Sequence, residues 1–220
     1  MKPLAPLEAR VLGVLVEKQA TVPDTYPLSL NALLAGCNQK TARDPVMNAT
    51  EADALTAIDE LKARSLVFEV SGSRVVRFEH NLGRVLGVPG QSVALLATLV
   101  LRGAQTAAEL RLHSDRLHRF ADVSSVEAFL EELAAKDPPL VARLPRAPGE
   151  REPRWVHLLC GEAAAAPPPA PLAGIGSATG ELEAIKAEQA RLAGEVEQLK
   201  ALVRRLAAAV GVETEPSDRP

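Results

Sequence analysis

The sequence predicts a mainly α fold with small β-hairpins, built as two like modules and a helical tail. Three observations predict it. Apolar residues recur at helical spacing through three successive stretches, then give way to β-branched runs around a turn. The same order of three helices and a hairpin then returns. Beyond residue 162 the composition turns to Ala, Pro and Gly, and after that to a heptad pattern.

In the first module, Leu7, Val11, Val14 and Leu15 share one face of a helix over 7–19. The turn-rich TVPDTYP follows, and Ser29 is placed to cap a short helix, LNALLAGCN. A polar connector, NQKTARDPVMN (38–48), leads to the third helix, EADALTAIDELKAR. Thr50 opens that helix, and Asp53 stands three residues on, as in a capping box. Its apolar stripe is read as Leu55, Ile58 and Leu61. LVFEVSGSRVVRFE (66–79) then reads as a hairpin around Ser71, Gly72 and Ser73.

The second module repeats this order. SVALLATLVLRG (92–103) and TAAELRLHS (106–114) read as helices, and Ser124 with Glu127 is expected to cap a third, SVEAFLEELAAK. Strands LVARLPR (140–146) and RWVHLLC (154–160) are joined by the turn APGERE. AIDELKARSLV (57–67) and FLEELAAKDPPLV (129–141) both carry an apolar-acidic-acidic-Leu step before the chain enters its hairpin. Three helices followed by a hairpin wing is the order of a winged helix, a helix-turn-helix relative, so tandem winged-helix domains are expected over 1–88 and 89–162. The short gap at 80–91 suggests that they pack closely.

Residues 163–180 read as an Ala/Pro/Gly linker. The stretch 181–211 reads as a coiled-coil helix and 212–220 as a disordered tail. Leu182, Gln189, Val196, Val203 and Val210 fall at a, and Ile185, Leu192, Leu199 and Leu206 at d. β-Branched residues at a with Leu at d favour a parallel dimer, and Glu181–Lys186 and Glu195–Lys200 supply g-to-e′ pairs. Leu182, Ile185, Leu192, Val196, Leu199, Val203 and Leu206 are therefore the candidate dimerisation residues of a homodimer. The alternative is an amphipathic helix folded back on its own body.

Apolar residues make up 47% of the chain but aromatics only 3%, so the cores are expected to be aliphatic. The net charge of −3 excludes a polybasic nucleic-acid binder, and any such binding must come from local patches. Cys37 and Cys160, with no secretory signal before them, read as buried reduced thiols. The longest apolar run, VALLATLVL (93–101), is about half the length that crosses a bilayer. A cytoplasmic setting without membrane association is expected.

No enzyme is expected. His80, His113, His118 and His157 are scattered without metal-ligand spacing, so no metal or cofactor is predicted. Cys37 lies on an apolar helical face with Leu30, Leu33 and Leu34, where a core thiol is the plainer reading than a nucleophile.

Three stretches carry a resemblance. TYPLSLNALLAGCNQKTARDPVMN (25–48), LEARVLGVLVEKQ (7–19) and LVLRGAQTAAELR (99–111) together resemble the YceH-like family of uncharacterised bacterial proteins. The resemblance covers about residues 4–162 and implies a tandem winged-helix fold in a bacterial cytoplasm. It implies no activity and carries over no catalytic or ligand residues. The linker and terminal helix look like an addition to the shared core.

Two classes of function remain: DNA binding, as in a transcription-regulating factor, and protein docking. In a winged helix the approach to the third helix faces the DNA groove. Gln39, Lys40 and Arg43 lie on that approach. Arg74 and Arg77 in the first wing, Arg111, Arg116 and Arg119 in the second connector, and Arg146, Arg151 and Arg154 in the second wing complete the candidate nucleic-acid contacts. A solvated role is the alternative for Lys40, Arg43 and the wing tips. Against DNA stand the carboxylates of the third helices: Glu51, Asp53, Asp59 and Glu60 in the first, Glu127, Glu131 and Glu132 in the second. Acidic surfaces of this kind suit a docking module for an unidentified protein partner.

Overall fold

The computed structural model describes residues 2–70, 75–146, 149–150 and 152–161, all within one compact body. The linker, the terminal helix with its heptad positions, and the tail lie outside the described residues. The body is mainly helical, with two small antiparallel sheets.

Helix α1 (Pro6–Thr21) begins at a proline, which loses no helical hydrogen bond there, and Glu8 reaches back to accept from the Ala5 N–H at 3.0 Å. β1 (Leu28–Ser29) leads directly into α2 (Leu30–Cys37), whose Ala32 N–H is accepted by the Ser29 hydroxyl as expected. α3 (Glu51–Ala63) starts with the reciprocal Thr50–Asp53 capping box. β2 (Val67–Val70) and β3 (Arg77–His80) form the expected hairpin. β1, which the sequence did not signal, adds a third strand to give the order β1-β3-β2. A short α4 (Leu82–Leu86) then fills the gap between the halves.

The second half runs α5 (Gly90–Arg102), α6 (Ala107–His113), α7 (Val123–Ala134), β4 (Val141–Arg143) and β5 (Trp155–His157), with β4 and β5 antiparallel. The strands are shorter than the runs 140–146 and 154–160. Thr106 and Glu109 cap α6 reciprocally. The cap of α7 corrects the expectation of Ser124. Asp122 accepts from the Ser125 N–H at 2.7 Å, and the helix begins at Val123 with Ser124 inside it. A carboxylate two residues upstream is the stronger acceptor, and it sets the start.

Two apolar readings also change. On α3 the buried positions are Ala54, Ala57, Ile58 and Leu61, while Leu55 is 41% exposed. The small alanines let α3 approach its neighbours closely, and Leu55 falls about 100° away from that face. α1 buries Val11, Val14 and Leu15, but Leu12 and Val16 as well, because it is covered on two sides. Its neighbours are α2 and α3 on one side and α5 on the other. Gly13 makes the second approach possible, since a Cβ there would stand 3.0 Å from Leu101 Cδ2.

One continuous apolar cluster therefore runs through both halves, from Leu12, Leu33, Ile58 and Leu66 to Leu96, Leu99, Leu110 and Leu130. Each such fully buried leucine contributes about 2 kcal/mol of transfer free energy. Backbone bonds tie the halves further: Leu4 N–H donates to Leu159 O and Asp44 N–H to Leu101 O, both at 2.8 Å.

Candidate interaction surfaces

The connector between α2 and α3 is held from beneath by two arginines. Arg10 on α1 is only 1% exposed and donates from Nη1 to Cys37 O (3.2 Å) and from Nη2 to Pro45 O (2.7 Å). It thereby closes the end of α2 onto the middle of the connector. Burial lowers its pKa, and the charge of neighbouring Arg43 lowers it further. Arg43, expected in solvent or on a phosphate, is instead a buried clamp. Its fork meets both carboxylate oxygens of Glu17 on α1, at 3.1 and 2.6 Å, and Nε donates to Gly36 O. Burial alone would raise the Glu17 pKa, but the hydrogen bond and charge of Arg43 outweigh it and hold the carboxyl below its ordinary value.

Other connector residues are committed to partners within the chain too. Asn38 pairs with both Ala49 backbone groups, accepting at 2.8 Å and donating at 2.9 Å, which is a structural role. Gln39 donates to Thr41 O. Lys40 stays exposed. Thus the connector presents little free basic surface.

The outward face of α3 carries Glu51, Leu55 and Asp59 in one row of helical neighbours, with Ala52 and Thr56 beside them, all exposed. Lys62, in the last turn of α3, pairs with Glu69 of β2 at 2.8 Å and Asp59 at 3.6 Å. In the adjoining sheet Arg77 folds back to donate to Pro27 O (2.7 Å) and Thr25 O (3.1 Å). Arg74 lies outside the described residues.

The second half places its cations differently. Arg111 on α6 is exposed and donates to Ala121 O, beside the start of α7. Leu112 next to it is 72% exposed, the barest large apolar side chain among the described residues. Arg116 is exposed on the α6–α7 connector, and exposed Arg119 pairs with Asp115 at 3.2 Å. Arg154 is an internal strut, since it donates to Glu109, to Glu150 and to Ala104 O. Arg143 lies over the Trp155 ring at 5.8 Å, and Arg146 is exposed. Arg151 lies outside the described residues, as do the dimerisation candidates from Leu182 to Leu206. Sequence reasoning brought Arg111, Arg116 and Arg119 to one junction but missed the Arg10 and Glu17 contacts, which join residues far apart in the chain.

The thiols carry no activating environment. Burial pushes Cys37 up to about 11, against the pull of Arg10 and Arg43, and raises half-buried Cys160 as well. Burial lowers His80 and His157 to about 4. Among the described residues no three His, Cys, Asp or Glu side chains group as a metal site, and no helix is long and apolar enough to cross a membrane.

Residues 4–150 match a family model described as "Protein of unknown function, DUF480". The chain belongs to the DUF480 family. All three stretches that carried the resemblance lie within the DUF480 match. A UPF0502 protein of Leptothrix cholodnii is 65% identical over 97% of this chain and 98% of its own length. One of Burkholderia multivorans is 65% identical over 99% and 94%, and one of Burkholderia pseudomallei 64% over 97% and 92%. These bacterial relatives extend past the DUF480 match into the tail, so linker and terminal segment are shared with them.

Proposed function

We propose that this chain is a non-enzymatic tandem winged-helix protein that docks another protein through the outer face of α3. The winged-helix reading is supported by the recurrence of three helices and a hairpin, and by β1, which completes a three-stranded sheet beside α2 and α3. One observation carries the docking reading. Leu55 stands 41% exposed between Glu51 and Asp59 on the helix that a DNA-binding winged helix would lay in the groove. Carboxylates there repel phosphate, whereas an exposed leucine ringed by acids suits a basic, apolar protein surface. The loss of Arg43, Arg77 and Arg154 to internal partners points the same way.

The test is affinity purification from the native cell with wild type and Leu55→Arg side by side. A partner retained by wild type and released by the variant supports docking; identical partners overturn it.

A second reading is favoured by Arg111, Arg116 and Arg119, which the fold gathers on α6 and the connector that leads into α7. That junction would hold DNA phosphates. Fluorescence anisotropy against mixed-sequence duplex at low salt separates the two. Binding that weakens steeply with salt and is lost in the Arg111/Arg116/Arg119→Ala variant establishes DNA contact.

A further inference from the structure

We infer that the partner of the α3 face includes a second copy of this chain, which presents the α6 face. This rests on the docking reading and names its occupant. The two faces are complementary in charge and alike in form. On α3, Leu55 lies between Glu51 and Asp59; on α6 and its connector, Leu112 lies between Arg111 and Arg116. Among the described residues neither leucine is covered, at 41% and 72% exposed.

The flanking carboxylates of the first face, Glu51 and Asp59, engage no arginine of their own body among the described residues; Lys62 reaches Asp59 only at 3.6 Å. On the second face Asp115 is already neutralised by Arg119, which leaves Arg111 and Arg116 to set the sign. An acid-flanked leucine set against an arginine-flanked one buries two apolar side chains and pairs the rims, which favours this encounter over either face meeting itself.

The contact is heterologous, because different patches meet. After one contact one copy keeps its α6 face free and the other its α3 face, so association proceeds head to tail into a ring or an open chain, in contrast to the two-fold pairing of a parallel coiled coil. It strengthens with protein concentration and weakens with salt.

The experiment uses the full-length chain in a Cys160→Ser background. Tagged Ala52→Cys, next to Leu55, is mixed with untagged Ala108→Cys, next to Leu112, and treated with a short bis-maleimide. Both alanines are exposed on their faces. The expected result is a tagged–untagged cross-link at least about tenfold more abundant than either like pair. Arg111→Glu with Arg116→Glu in the Ala108→Cys chain removes it, as reversed charges cost of the order of tenfold or more in association. Glu51→Arg with Asp59→Arg in the Ala52→Cys chain restores it. Like pairs as abundant as the unlike pair, or no link at all, overturn the inference. If the link fails while Leu55→Arg still releases a different protein, docking stands and self-docking falls. If both fail, the docking reading falls as well.

Discussion

Arg43 and Glu17 form a two-pronged ion pair, 2.6 Å at its shorter prong, with the arginine side chain fully buried and the carboxylate 18% exposed. It fastens the α2–α3 connector onto α1. Breaking one side leaves the other charge without its partner in a region largely closed to water. Arg43→Ala is expected to destabilise the fold by about 3 kcal/mol, with Arg43→Lys intermediate because it keeps charge but loses the fork. Urea unfolding reads this as a lower midpoint at unchanged slope. A midpoint within error of wild type for Arg43→Ala contradicts the clamp.

His80 and His157 make stability fall in mild acid. Burial holds both at about 4 in the fold, below the unfolded value of about 6.5. His80 also accepts from the Leu82 N–H through Nδ1, so its neutral form keeps the proton on Nε2, toward Gln19. Above pH ~6.5 both histidines are neutral in both states and the contribution is fully present. As pH falls toward 4 the unfolded chain binds protons that the fold refuses, and stability drops by at most about 1.4 kcal/mol per pH unit for each. Glu17, held low by Arg43 against the effect of burial, adds a further loss below its ordinary range. Thermal melts across pH 4 to 7 check the slope, which His80→Gln should flatten.

Asp122→Ala is expected to cost about 1 kcal/mol through loss of the α7 cap, whereas Ser124→Ala changes stability little. Equal effects of the two, measured by chemical denaturation, would return the cap to Ser124.

Gly103→Ala is expected to destabilise by about 2 kcal/mol for two separate reasons. The residue has φ of 77° and ψ of −159°, a region closed to side chains, and a Cβ would stand 2.8 Å from Asp44 Oδ2. Asp44→Ala in the same chain removes the clash but leaves the backbone strain. Differential scanning calorimetry should therefore show partial rescue of the melting temperature; full rescue would mean that the backbone conformation costs nothing.

Local chemistry was the legible part of this chain. Ser29 and the Thr50–Asp53 box act within three residues of themselves, so their spacing alone placed α2 and α3. The α7 start was misread because Ser124–Glu127 matches the capping pattern while Asp122 is the better acceptor. Contacts distant in sequence left no local signal. Arg43 looks like a solvated cation until Glu17, on another helix, is set against it. The apolar stripe of α1 looked one-sided because α5, which covers its other side, is encoded far downstream. For the surfaces, the acids of α3 stand exposed, and Leu55 among them, expected in the core, is exposed with them. The exposure of Leu112 has no signature in the sequence, since a single leucine in an amphipathic helix gives no hint of which way it points.

Gly13 bears on how the chain must be made. α1 leaves the ribosome well before α5, so the side that Gly13 opens to Leu101 lacks its cover until Gly90–Arg102 has been translated. At roughly 5–20 residues per second, that bare apolar strip faces the cytosol for several seconds on every nascent chain. Full packing of α1 is thus postponed until synthesis of the second half, and a ribosome stalled midway would release a fragment with that strip bare.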